Sequence, residues 1–308
     1  MSHTESSNSH SPGTSMPSAL SRAAGHPVRW DVVIALVVVL VTALIVVYSS
    51  RGGDNTGGSS STGTAAARNG VIIDEQFDGD TLDSALWNTC HWWDNEGCTI
   101  TSNDELEWYL PEQVSVSDGM LHLTAAKEPV EASDGEEYPY RSGMVTTGPT
   151  PDSDGVSKRA FTYGKVETRL RVPAGRGLWP AVWLLPTTEE SRPEIDVMEV
   201  IGQEPQINKM HVHPLDRDKE SLGKDYQLPG GASLADGFHT LTLDWSPGLL
   251  IFGLDGTEMW RVTGDDVPSE PMYLLFNLAV GGAYPGDPDE ATKFPAQFDI
   301  DYVRVTQP

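Results

Sequence analysis

From Val71 to the end, the chain is a succession of short stretches in which apolar and polar residues alternate. Alternation has the two-residue period of a strand with one buried face. Val114-Ser115-Val116-Ser117 and Met120-Leu121-His122-Leu123-Thr124 flank Asp118-Gly119, a dipeptide suited to a two-residue hairpin turn. Thr162 to Val172 alternates cleanly over its second half, and Phe298 to Val305 alternates throughout. His239 to Trp245 and Leu249 to Leu254 read as a hairpin that runs into a second Asp-Gly pair, Asp255-Gly256. No long helical period appears after residue 70. Many short strands joined by Gly- and Pro-containing turns predict an all-β domain, a β-sandwich or jelly roll.

The N-terminal quarter breaks this pattern. Residues 1–29 are rich in Ser, His, Pro and Gly and have little to bury, so they are expected to be a disordered tail. Val32 to Tyr48 is an apolar run interrupted only by Thr42, at the short end of what spans a bilayer at ~1.5 Å per residue. Trp30 and Tyr48 stand where interface anchors belong. The rival is a secretory signal, which would end at a small-residue cleavage site. Tyr48-Ser49-Ser50-Arg51 follows instead, which favours an uncleaved transmembrane helix over 30–49. Arg22 and Arg29 before the run and Arg51 and Arg68 after it barely decide its orientation. The large following domain with its paired cysteines argues for a cytoplasmic N-terminus. Residues 50–70, rich in Gly, Ser, Thr and Ala, read as a flexible linker. The expected organisation is tail 1–29, anchor 30–49, linker 50–70 and an extracytoplasmic domain 71–308, held at the cell membrane by a single pass.

Composition narrows the partners. The chain has 308 residues, room for one large domain of ~200–250 residues plus extras. A net charge of −25 argues against nucleic acid and anionic lipid, and leaves a neutral polysaccharide unopposed. The nine Trp suit sugar stacking, although many Trp are simply core. Cys90 and Cys98 are the two cysteines. Outside the cell they are expected to form a local disulfide; two buried thiols are the alternative.

The chemistry concentrates in Glu194-Ile195-Asp196-Val197-Met198-Glu199. Glu194 and Asp196 share a strand face, while Glu199 is one residue out of phase. A β-bulge absorbs one extra residue. With a bulge near Val197-Met198, all three acids face one side while Ile195 and Val200 pack behind. Two Glu with carboxyls about 5–5.5 Å apart can perform retaining glycoside hydrolysis. Like charges in one cleft push a pKa up and keep a proton available. On acid content alone, a solvated acidic face is the simpler reading.

The neighbours alter that balance. Gly177-Leu178-Trp179-Pro180-Ala181-Val182-Trp183 with Glu194-Ile195-Asp196-Val197-Met198-Glu199 resembles glycoside hydrolase family 16, in its bulge-containing, laminarinase-like branch. The resemblance runs from about Val71 to Val305. It includes Phe77-Asp78-Gly79, Trp87-Asn88, Asn103 to Tyr109, Pro271 to Gly282, Tyr284-Pro285-Gly286 and Asp301 to Val305. Asp104 and Glu107 depart from the amides of many laminarinases, and Tyr284 stands where these often have Trp.

The resemblance implies two curved sheets with a cleft on the concave face. It also implies Glu194 as nucleophile, Glu199 as acid/base and Asp196 as the assisting carboxylate. Trp179 and Trp183, four apart on a strand, share a face and are expected as sugar platforms. Asn103, Trp108, His211 and Tyr284 are further substrate-binding candidates. His211 and His213 share a face by alternation and could take zinc, yet no metal is assigned to the site. No cofactor is required, and a structural calcium near Gly119 and Asp301 is allowed. The activity implied is an endo-β-glucanase on β-1,3 or mixed β-1,3/1,4 bonds, acting as a monomer. Transglycosylation on the same carboxylates and non-hydrolytic carbohydrate binding are the alternatives.

Overall fold

The computed structural model describes residues 70–92, 98–188 and 190–307. The predicted tail, transmembrane helix and all but Gly70 of the linker fall outside them. Among the described residues no helix is long and apolar enough to cross a membrane. Their only helical segments are single 3₁₀ turns.

The alternating stretches become strands. The first eight are β1 (Val71–Glu75), β2 (Glu107–Tyr109), β3 (Val114–Ser117), β4 (Met120–Ala125), β5 (Val130–Glu131), β6 (Glu137–Tyr138), β7 (Tyr140–Ser142) and β8 (Met144–Thr146). Then follow β9 (Gly164–Arg171), β10 (Leu178–Pro186), β11 (Glu194–Glu199), β12 (Ile207–His213) and β13 (Leu222–Gln227). The last five are β14 (His239–Ser246), β15 (Leu249–Leu254), β16 (Thr257–Thr263), β17 (Met272–Val280) and β18 (Ala296–Thr306). One sheet runs β16-β15-β14-β9-β18-β4-β3, with β1 also paired to β18. The second runs β13-β12-β11-β10-β17-β8.

Both predicted Asp-Gly turns form. Asp118 and Gly119 have φ of 52° and 72°, and Asp255 and Gly256 have 50° and 77°. Two successive left-handed residues match the twist of the flanking strands, and Asp then Gly tolerates them best.

The core lies between the two sheets. Val182, Leu184, Ile195 and Phe276 from the six-stranded sheet join Val166, Leu170, Leu243, Phe252 and Phe298 from the other. The six-stranded sheet is also covered on its far face. There Tyr109, Met144, Ala181, Trp183, Leu185, Tyr273 and Leu275 form a second buried cluster. All nine residues of β17 are therefore buried, which is why Met272 to Val280 reads as a nearly unbroken apolar run.

Candidate active site

Strands β10, β11 and β17 floor a groove on the far face of the six-stranded sheet. Strict alternation along β10 sends Val182 and Leu184 into the core and Trp179, Ala181, Trp183 and Leu185 to the groove. On β11 the register breaks: Asp196 pairs with His211 and Glu199 with Lys209, three residues against two. Against β10 the same shift falls between Met198 and Asp196. The extra residue lies at Val197-Met198, and both of those side chains are buried in the core. Glu194, Asp196 and Glu199 consequently all line the groove, whose volume is about 210 Å³.

Every acid has a partner. Both Glu199 oxygens are engaged: the Trp179 indole N–H donates to Oε1 at 3.1 Å, and His211 Nδ1 lies 2.5 Å from Oε2. His213 Nε2 lies 3.1 Å from Asp196 Oδ2, and its Nδ1 lies 2.6 Å from Ser221 Oγ. Burial, then the Asp196 charge, pushes the Glu194 carboxyl well above its usual range. Burial, then Glu199, does the same to Asp196. The Glu194–Asp196 pair therefore holds a proton in conditions where an exposed carboxylate has lost its own. A hydrogen bond to Glu199 pushes His211 up, whereas burial pushes His213 down.

The walls are aromatic and amide. Trp179 is half-buried and meets Tyr284 edge-on at 5.2 Å between ring centroids. Tyr284 is 45% exposed, so the pair can present ring surface to a ligand. Trp183 shares the groove face as predicted but is only 7% exposed, a floor residue more than a free platform. Its indole N–H donates to Asn277 Oδ1 at 2.8 Å, and the Asn277 amide donates to the Tyr109 hydroxyl at 2.9 Å. His91 packs against Trp183 at 5.8 Å; burial pushes this imidazole down to about 3, so it is neutral. Asn103 lines the groove and donates to Glu105 Oε1 at 2.8 Å. Trp108 departs from expectation. It is buried with Ala132 and Tyr138, 5.1 Å from the tyrosine ring, and does not line the groove. The parallel pairing of β2 with β7 turns it that way.

Under the Asn103 wall lies a buried carboxyl pair, Glu105 and Glu107. Glu107 Oε2 accepts from the Val280 N–H at 2.7 Å. Burial pushes both carboxyls up, and the Glu107 charge pushes Glu105 further. The folded chain then keeps protons that the unfolded chain releases above the ordinary glutamate pKa of ~4.3. The sign follows from linkage: stability is full below that pH and falls as pH rises toward the folded values. Glu107→Gln removes one of the two ionisations. Its Tm is expected to match wild type near pH 5 and exceed it by several degrees at pH 8, with each kcal/mol worth roughly 2–4 °C. Melting curves that run parallel across this range would exclude the linkage.

Cys90 and Cys98 are joined in a disulfide. Of the two residues named for calcium, Gly119 could offer a backbone carbonyl, an ordinary calcium ligand, and the Asp301 carboxylate pairs with the Arg169 guanidinium at 2.5 Å.

The model of the glycosyl hydrolases family 16 matches residues 102–304, most of the described chain. The chain belongs to this family. Endo-1,3-1,4-beta-glycanase EglC of Rhizobium meliloti is 34% identical over 236 residues, covering 72% of this chain and 48% of EglC. A beta-glucanase of Rhodothermus marinus is 31% identical, covering 66% of this chain and 74% of the relative. The catalytic domain of the endo-1,3-beta-glucanase (laminarinase) from Thermotoga petrophila superposes with a TM-score of 0.69 at 32% identity, over 77% of this chain and 97% of that one. The likeness is to the laminarinase-like members of family 16. The chain spans about half the length of EglC.

Within this family 16 domain, two groove residues escape a reading by motif alone. Asn277 could have been found from its place in an apolar strand, where a lone amide needs a buried partner. Glu105 sits beside Asn103, but no periodicity in that irregular stretch indicates which way it faces.

Proposed function

We propose that the chain is an endo-β-glucanase cleaving β-1,3 or mixed β-1,3/1,4 bonds with retention of configuration. The observation that carries this reading is the bulged strand β11, which brings Glu194, Asp196 and Glu199 to one groove beside Trp179. Glu194 attacks the anomeric carbon while Glu199 gives its proton to the leaving oxygen. A glycosyl ester on Glu194 forms and the aglycone departs. Glu199 then takes a proton from water, which displaces Glu194 and releases the sugar. Asp196, sharing a proton with Glu194, steadies the carboxylate while its charge changes. Endo action follows from a groove on a sheet face, which accepts a polymer in mid-chain.

The test is reducing-end release from laminarin, lichenan, carboxymethylcellulose and a β-galactan. Release is expected from the first two, with oligosaccharides among the early products. Glucan retention with no new ends would instead make the domain a binding module, and products longer than the substrate would make it a transglycosylase. The proposal includes an extracytoplasmic location with a tether at 30–49. The disulfide supports it, because such bonds persist in oxidising compartments. Loss of the domain from intact cells on external protease treatment is the expected result.

A further inference from the structure

The glutamate cluster has a property that hydrolysis does not require. His213 stands opposite Glu194 and His211 opposite Asp196 in the β11–β12 register. Each imidazole leans along the strand to the next acid, His213 to Asp196 at 3.1 Å and His211 to Glu199 at 2.5 Å. Two three-ligand groups result, Glu194–Asp196–His213 and Asp196–Glu199–His211, and within each the ligand atoms all lie within 4.8 Å of one another. Among the described residues no other such groups form.

We propose that this cluster binds one divalent transition-metal ion of the zinc type, and that the bound ion excludes polysaccharide from the groove. Tetrahedral zinc with bonds of about 2.0–2.2 Å sets its ligand atoms roughly 3.3 Å apart. The His213–Asp196 pair already has close to that spacing, and modest side-chain rotation closes the rest. The two groups share Asp196, which limits the cluster to one ion at a time. Mixed imidazole and carboxylate donors select zinc, copper or nickel over magnesium and calcium. Three carboxylates offset the ion's charge in a partly buried site. The same carboxylates are those assigned to catalysis, so metal and sugar compete. The ion is an inhibitor here and not a cofactor. Binding stands independently of the glucanase reading, whereas inhibition rests on it.

The experiment titrates ZnCl₂ into untagged protein at pH 7 by calorimetry, with and without a laminarin oligosaccharide, and uses MgCl₂ as the control. One zinc per chain is expected, weakened by the oligosaccharide, with no magnesium binding. Laminarin hydrolysis should show a raised apparent KM at unchanged kcat, reversed by EDTA. Combined, His211→Gln and His213→Gln leave neither group an imidazole; this double variant, checked for folding by circular dichroism, should weaken zinc at least ~10-fold, no less than the loss of an outer-shell partner of a metal ligand. His239→Gln, whose imidazole pairs with Asp255 outside the groove, should leave zinc binding unchanged. Absent zinc binding, binding indifferent to the combined groove substitutions, or inhibition that leaves KM unchanged would overturn the proposal. Zinc bound competitively with sugar by a protein that hydrolyses nothing would uphold the site and defeat the glucanase reading.

Discussion

Glu194→Gln is expected to fold as wild type and to lose about 10⁴-fold or more in kcat on laminarin, because the covalent route needs a carboxylate at that position. Glu199→Gln should lose roughly 10²–10⁴-fold, the usual contribution of a positioned general acid and base. The two losses should not add, since both residues serve one displacement. Folding should survive because neither carboxylate supports the core: Ile195, Val197 and Met198 do that from the opposite face of the same strand. Amides can still accept from Trp179 and approach His211. Removing a charge from a buried acidic cluster should leave Tm equal to wild type or raise it, since Glu194 and Asp196 are already pushed toward their neutral forms by burial and by neighbouring carboxylates. Wild-type turnover by either variant would remove the assignment.

The second large effect is on stability. Asn277 joins Trp183 and Tyr109 across the floor of the groove, and all three are buried. Asn277→Ala takes an acceptor from the Trp183 indole N–H and a donor from the Tyr109 hydroxyl, which still bonds Glu107. At about 0.5–1.5 kcal/mol for each of the two hydrogen bonds, plus the space the amide leaves, a loss of about 2–4 kcal/mol is expected. At roughly 2–4 °C per kcal/mol for a domain of this size, Tm should fall by roughly 5–15 °C. Asn277→Asp keeps the acceptor for Trp183 but buries a charge beside Tyr109, so it should also destabilise, increasingly as pH rises. Thermal unfolding followed by tryptophan fluorescence measures both. An alanine variant melting within about 2 °C of wild type would mean that water replaces the amide freely.

How much of this was legible in the sequence depended on which residues had one wet face. The strands of the eight-stranded sheet alternate because their outer sides meet solvent, so β3, β4, β9 and β18 could be read directly. Strand β17 is buried on both sides, and its period is lost. The bulge was legible because Glu199 breaks the phase set by Glu194 and Asp196, and the pairing of Asp196 with His211 and of Glu199 with Lys209 matches that break. What alternation could not give was the cover over the groove. Trp183 shares a face with Trp179, yet His91, Tyr109 and Asn277 close around it. Trp108, read as groove-lining, belongs to a separate cluster because its short strand pairs in parallel with β7. His211 lies against Glu199. Each of these depends on contacts between segments far apart in sequence, which local pattern does not encode. The predicted membrane helix lies outside the described residues.

The central claim is that two glutamates, aimed at one sugar bond by the kink in β11, act by double displacement. Proton NMR of laminarin during the first minutes of hydrolysis tests it most directly, since the first-formed reducing end carries the stereochemical record. The account predicts that the β-anomer appears first and the α-anomer grows in only by mutarotation. An α-anomer formed first would contradict it.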